Sequence, residues 1–151
     1  PGIPLASGLA LSSNETASDN TAVGNASLNA NTTGKWNTAI GSSSLMGNEE
    51  SNYNAAVCYS SLVKNTGGSN TAVGSLSLAN NTTGGNLTAI GFAALNSNTT
   101  QSWNTAIGYS AANFNTTGTV TAVGANALSN NTTGVANVAV GGYTGVATCV
   151  Q

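Results

Sequence analysis

Residues 71–91 read Thr71-Ala-Val-Gly-Ser-Leu-Ser-Leu-Ala-Asn-Asn-Thr-Thr-Gly-Gly-Asn-Leu-Thr-Ala-Ile-Gly91, so the tetrapeptide Thr-Ala-Val/Ile-Gly returns after 17 residues. The same unit ends at Gly24, Gly41, Gly74, Gly91, Gly108 and Gly124; Cys58 takes that slot after Ala-Ala-Val, and Gly141 after Val-Ala-Val. The intervals are 17, 17, 16, 17, 17, 16 and 17 residues. One period before Gly24 lies Ser7, with Leu11 and Asn14 still in phase. Self-similarity at a fixed short period is the mark of a repeat architecture. It gives nine rungs in a single repeat domain, the first spanning 3–19 and the last 137–151.

The rungs align as columns. Before the anchor stand Ala6, Val23, Ile40, Val57, Val73, Ile90, Ile107, Val123 and Val140; four residues after it Leu recurs from Leu11 to Leu128, with Ala112 the exception before Gly145. Seven after the anchor Asn holds from Asn14 to Asn131. A period of 16 or 17 is too short for a helix pair, and β-branched residues beside Gly disfavour helix. Two short strands and two turns per rung fit it. Such rungs stack about 4.8 Å apart through parallel backbone hydrogen bonds, giving a rod of roughly 40 Å. The predicted fold is all-β, a parallel β-solenoid of about nine 16–17-residue rungs.

Alternation along a strand then assigns faces. The bulky Val/Ile and Leu columns are expected to fill the interior, with Thr21, Thr38, Thr71, Thr88, Thr105 and Thr121 sharing that side. Between them runs Ala22, Ala39, Ala56, Ala72, Ala89, Ala106, Ala122 and Ala139. Read as outward, this stripe of small residues is a contact between chains; the competing reading is a cramped interior with no room for more.

Composition narrows function. The chain of 151 residues has two Lys or Arg, four Asp or Glu, no His, and a net charge of −2. General acid–base catalysis, a basic nucleic-acid face and a polybasic membrane patch all lack their side chains. No Ser or Thr has a His to activate it, so no nucleophile–base pair is expected. No cofactor or metal site is expected, and no apolar run approaches the roughly 20 residues of a membrane span. The expectation is a non-enzyme that does not bind nucleic acid.

Units such as Asn37-Thr-Ala-Ile-Gly41 followed by Ser-Ser-Ser-Leu45, and Asn104-Thr-Ala-Ile-Gly108 followed by Tyr-Ser-Ala-Ala, resemble the head repeats of YadA-like trimeric autotransporter adhesins. They are also similar to the Asn-Thr-Ala-Val/Ile-Gly repeat arrays of phage tail fibres. The resemblance covers essentially the whole chain. It implies a left-handed β-roll, usually trimeric, exposed at a cell or virion surface.

Three sets of candidate residues follow. Asn14, Asn31, Asn81, Asn98, Asn115 and Asn131 begin Asn-x-Ser/Thr triplets on one column, and Asn25, Asn80, Asn86 and Asn130 qualify off it. They are N-glycan acceptor candidates. The same column also suits a turn, in which Asn supplies a side-chain hydrogen bond and the Gly of Asn-Thr-Thr-Gly a positive φ. Cys58 and Cys149 lie five rungs apart, too far for a bridge within one rod, and are candidates for a disulfide between chains. The aromatics fall on shared columns, Trp36 with Tyr53 and Trp103, and Tyr59 with Phe92 and Tyr109, as a glycan platform or as packing over turns.

The functional expectation is an extracellular structural protein, a self-associating subunit or shaft of a glycosylated fibre. Its partner is a further copy of itself, as a trimer or a filament. Apolar residues in the first rung, Ile3, Leu5, Leu9 and Leu11, and a Gly-rich last rung suit joining. The alternative is a glycan- or receptor-binding adhesin head or tail-fibre segment. Ice binding is less favoured, because it calls for a flat face of regular outward Thr pairs.

Overall fold

The computed structural model describes residues 3–5 and 8–145. Nine short strands, β1 (Ile3–Leu5), β2 (Thr21–Val23), β3 (Thr38–Ile40), β4 (Ala55–Val57), β5 (Thr71–Val73), β6 (Thr88–Ile90), β7 (Thr105–Ile107), β8 (Val120–Val123) and β9 (Asn137–Val140), form one sheet in sequence order. Every neighbouring pair is parallel, and from β2 to β9 the pairs are in phase, Ala22 beside Ala39, Ala39 beside Ala56 and so on to Ala139. The chain is a β-solenoid. In the first rung Leu5, and not Ala6, pairs with Val23. The additional residue is absorbed before Leu11, whose N–H donates to Ser27 O at 3.1 Å in the common phase.

Among the described residues each rung contains one strand, where two were expected. Tight turns replace the second: Ser27 N–H donates to Gly24 O at 3.2 Å, and Asn31 N–H to Leu28 O at 3.4 Å. These turns also bond from rung to rung, Leu28 N–H to Ser44 O and Ser43 N–H to Asn25 O, both at 2.9 Å. Their geometry needs left-handed backbone, as at Trp36 (φ 56°), Ser43 (φ 58°) and Leu45 (φ 49°), and the set recurs along the rod. For a residue with a Cβ each such position costs about 1–2 kcal/mol. Bonding between rungs and burial of the Leu column offset it.

The strand faces the opposite way from the sequence expectation. Ala22, Ala39, Ala56, Ala72, Ala89, Ala106 and Ala122 are fully buried in the core, with Ala139 packed against it. They are therefore not a contact between chains. The Val/Ile column points outward instead, with Ile40 at 40% and Ile90 at 38% exposure, and the Thr column shares that outer side. Space decides the matter. In the third rung Asn37, Ala39, Ser44, Leu45 and Asn48 all point inward and are buried. A closed rung this short has room for one Leu but not for a Val or Ile facing it, so only Ala fits on the strand.

Two Asn ladders complete the interior. The first is the predicted column: Asn81 Nδ2 donates to Asn65 Oδ1 at 2.8 Å and Gly84 O at 2.9 Å, and Asn98 Nδ2 donates to Asn81 Oδ1 at 2.9 Å. The second stands immediately before β2, β3, β4, β5 and β7, with Leu87 and Val120 in its place at β6 and β8, and the Asn before Thr-Ala-Val/Ile-Gly signals it. Backbone N–H groups of Asn37, Asn54, Asn70 and Leu87 donate to the side-chain oxygens of Asn20, Asn37, Asn54 and Asn70 at 2.8–3.0 Å. Among the described residues no buried side-chain N or O is left without a partner. This matters because burying an amide unpaired costs roughly 1–3 kcal/mol.

Anchor glycines such as Gly41 (φ 130°) and Gly91 (φ 133°) adopt a backbone that side chains rarely take, and Cys58 sits in that slot at φ 98°. Strain of this kind costs about 1–3 kcal/mol, from which the extra chain entropy of Gly subtracts about 0.5–1 kcal/mol. Cys58→Gly is therefore expected to stabilise the rod by about 1 kcal/mol, read as a melting temperature about 2–4 °C higher. A lower melting temperature would show that the Cys58 side chain makes a favourable contact that outweighs the strain.

Candidate functional site

The outward side of the sheet is the surface on which function is to be sought. Along it run the Thr column, interrupted by Ala55, and the Val/Ile column. On the N-terminal side of the strands stand Asp19, Trp36, Tyr53, Ser69, Asn86, Trp103, Thr119 and Ala136 in successive rungs from β2 to β9. On the C-terminal side stand Asn25, Ser42, Tyr59, Ser75, Phe92, Tyr109, Ala125 and Gly142. Apart from Asp19 these four columns contain no charged residue. The outer side is a strip of hydroxyls and aliphatic side chains with rings along both margins.

The rings follow the rung spacing. Trp36 and Tyr53 stack with centroids 4.9 Å apart and planes within 9°, and Phe92 and Tyr109 stack at 5.4 Å and 14°. Offset stacking of this sort contributes about 0.5–1.5 kcal/mol beyond area burial. All of them stay substantially exposed, Trp103 most of all at 72%. Where the ring column stops after Trp103, a cleft of about 260 Å³ opens between that indole, Thr119, Thr121, Ala136 and Val138. This places the Trp103 margin directly beside the Thr column. Rings and strand therefore share one continuous surface.

Placement sorts the glycan candidates. Asn31, Asn81, Asn98 and Asn115 are fully buried and Asn131 is nearly so, each with its amide in the ladder. A transferase has no access to them in the folded rod, so the acceptor reading of that column is replaced by the ladder. Its expected Gly partner differs as well: Gly34 and Gly84 are not at positive φ, but an added Cβ there would clash with Asn31 Oδ1 and Asn81 Oδ1. Asn14 and Asn80 are half-buried, with Asn80 Nδ2 donating to Asn96 O at 3.1 Å. Asn25, Asn86 and Asn130 are exposed.

Cys58 is exposed and in no disulfide within the described residues, while Cys149 lies outside them. Lys64 Nζ donates to Asn80 Oδ1 at 2.7 Å. Among the described residues no group of three or more His, Cys, Asp or Glu converges, and no helix is long and apolar enough to cross a membrane. Comparisons of the chain with protein-family models, with curated proteins and with solved structures found no match.

Proposed function

We propose that this chain is a non-enzymatic extracellular structural protein, a β-solenoid subunit that associates with copies of itself to build a fibre or its shaft. The observation that carries the proposal is the outward side of the sheet. It is nearly charge-free, continuous over the rungs, and exposes Ile40, Val73, Ile90 and Ile107 in one line. Soluble monomers rarely leave contiguous apolar surface beyond a few hundred Å² uncovered. Covering this strip with a second copy removes it from water. The repeat-by-repeat resemblance to trimeric adhesin heads and tail-fibre arrays points the same way.

An N-glycan fits this reading at the exposed acceptor Asn130, which lies outside the four outer columns, and a bond between chains through Cys58 and Cys149 fits it in an oxidising exterior. Sedimentation velocity at micromolar concentration, with negative-stain imaging of the same sample, tests the proposal. Species larger than one chain, or filaments, are expected. A monodisperse monomer would remove the structural reading.

The exposed ring pairs favour one second reading, an adhesin that stacks sugars on Trp36, Tyr53, Phe92 and Tyr109. A glycan array separates the two, because tight binding by a discrete particle supports the adhesin. The outward Thr column removes one objection to ice binding. Yet it is a single column, broken at Ala55 and flanked by rings that stand beside the strip, and water held in a flat lattice has no place for them.

A further inference from the structure

We infer that two copies pair antiparallel, outer face to outer face, about a two-fold axis between β4 and β5, with each aromatic ring seated over a small or polar residue of its partner. The inference rests on the self-association proposed above and specifies its geometry.

In this arrangement β2 lies over the partner's β7, β3 over β6, and β4 over β5, and each column faces its own copy. On one margin Trp36 then falls opposite Asn86, Tyr53 opposite Ser69, and Trp103 opposite Asp19. On the other margin Tyr59 falls opposite Ser75, Phe92 opposite Ser42, and Tyr109 opposite Asn25. No ring meets a ring. In every rung from β2 to β7, each margin is filled by one aromatic from one copy or the other. Between the margins the aliphatic columns face each other, Ile40 against Ile90 and Val57 against Val73.

Neighbouring registers lack this property. Sliding the partner by one rung sets Trp36 against Trp103 in one direction and Tyr53 against its own copy in the other. A two-fold axis along the rod, with the chains parallel, sets Tyr53 against Tyr59 and Trp103 against Tyr109. Rings that collide hold the aliphatic columns apart, and overpacking of that kind costs about 1–3 kcal/mol per site.

An overlap from β2 to β7 at about 4.8 Å per rung, by three strand residues at about 3.3 Å each, gives a flat centre of roughly 290 Å². The exposed rings on both margins widen it toward the roughly 800 Å² that each partner of a stable interface buries. The one charge on the face is Asp19, so closure desolvates a single carboxylate per copy, at the edge of the overlap beside the partner's Trp103.

The register is tested by Ser69→Trp. Ser69 is exposed and shares its column and its left-handed backbone with Trp36 and Trp103, so a Trp is accommodated there by the rod itself. In the pair it meets the partner's Tyr53. Sedimentation equilibrium on the full chain is expected to give a dimer for the native sequence and a dissociation constant raised at least about tenfold for Ser69→Trp. The exchange Tyr53→Ser with Ser69→Trp in one chain restores a ring over a small residue and is expected to restore the dimer. General hydrophobic association predicts the reverse for the single variant, since Trp adds apolar surface.

Unchanged or tighter association of Ser69→Trp, or no recovery in the double variant, overturns this register while leaving the structural proposal standing. A native monomer overturns both. Sugar found by glycopeptide analysis on Asn86 or Asn25 of dimeric material also overturns it, because those residues lie under the partner's Trp36 and Tyr109.

Discussion

Ala89→Lys is expected to destroy the folded rod rather than dissociate an assembly of intact rods. Ala89 is fully buried in the sheet, in register with Ala72 and Ala106, and the strand runs against the Leu column. A Lys there places four methylenes where one methyl fills the space, at about 1–3 kcal/mol for overpacking alone. Its ammonium adds a desolvation penalty of several kcal/mol with no carboxylate in reach. The sum is comparable to the roughly 5–15 kcal/mol that holds a whole domain together. Circular dichroism should show the β signal lost, or a melting temperature lowered by at least about 10 °C. Ala72→Lys and Ala106→Lys should behave alike. Thr88→Lys, one residue away on the outer side, should change the stability of the single rod by only about 0.5 kcal/mol while weakening the association of copies through that face. If Ala89→Lys kept the native melting temperature and only the assembled mass fell, the Ala column would have to be an outer surface after all.

That pair of adjacent substitutions marks where sequence reading succeeded and where it failed. Period and parallel stacking are legible because identical residues recur at fixed spacing, and a ladder of Asn or Val is what stacked rungs require. Leu28, Leu45, Leu62 and Leu78 are interior, as their column suggests. The facing of the strand is not legible from hydrophobicity, because a shift of one residue turns every side chain to the other side. Bulk argued for Val and Ile inside, whereas the small cross-section of the rung argued for Ala. The second argument needs the number of inward residues per rung, and that depends on corners no propensity predicts. Leu45 and Leu62 in left-handed conformation are such corners. The same reading hides the candidate site: assigning Ile40 and Ile90 to the core removes a continuous apolar column from the surface. The acceptor triplets misled for a related reason. Asn-x-Thr records composition, but burial of Asn81 or Asn98 depends on which way the turn faces.

Asn81→Asp probes the ladder with a change of one atom, and its effect is expected to grow with pH. Asn81 Nδ2 donates to Asn65 Oδ1 at 2.8 Å and to Gly84 O at 2.9 Å, and its side chain is fully buried. Asp puts an acceptor where that donor was, against two acceptors, and an unpaired charge in the interior. Asn98 Nδ2 still donates to the remaining oxygen. At pH 7 the deficit should be about 3–5 kcal/mol relative to the native chain. Burial favours the protonated form of the new carboxyl, so its folded pKa lies above the unfolded value near 3.9. A raised folded pKa means that the folded state holds the proton more tightly. Stability is therefore retained below the unfolded pKa and lost as pH rises through the folded one. Near pH 3 the carboxyl O–H can donate to Gly84 O or Asn65 Oδ1, and the deficit should shrink to about 1–2 kcal/mol. Asn81→Leu separates charge from hydrogen bonding. Asn70 Nδ2 also donates to Asn65 Oδ1 at 3.1 Å and to Gly84 O at 2.9 Å, and Asn98 Nδ2 also donates to Gln101 O at 3.0 Å, so each partner keeps one bond. Its cost should be about 2 kcal/mol and independent of pH. Urea unfolding of the three proteins at pH 3 and pH 7 measures both deficits. Equal deficits for Asn81→Asp at the two pH values would mean that the side chain reaches water and that the ladder is not closed.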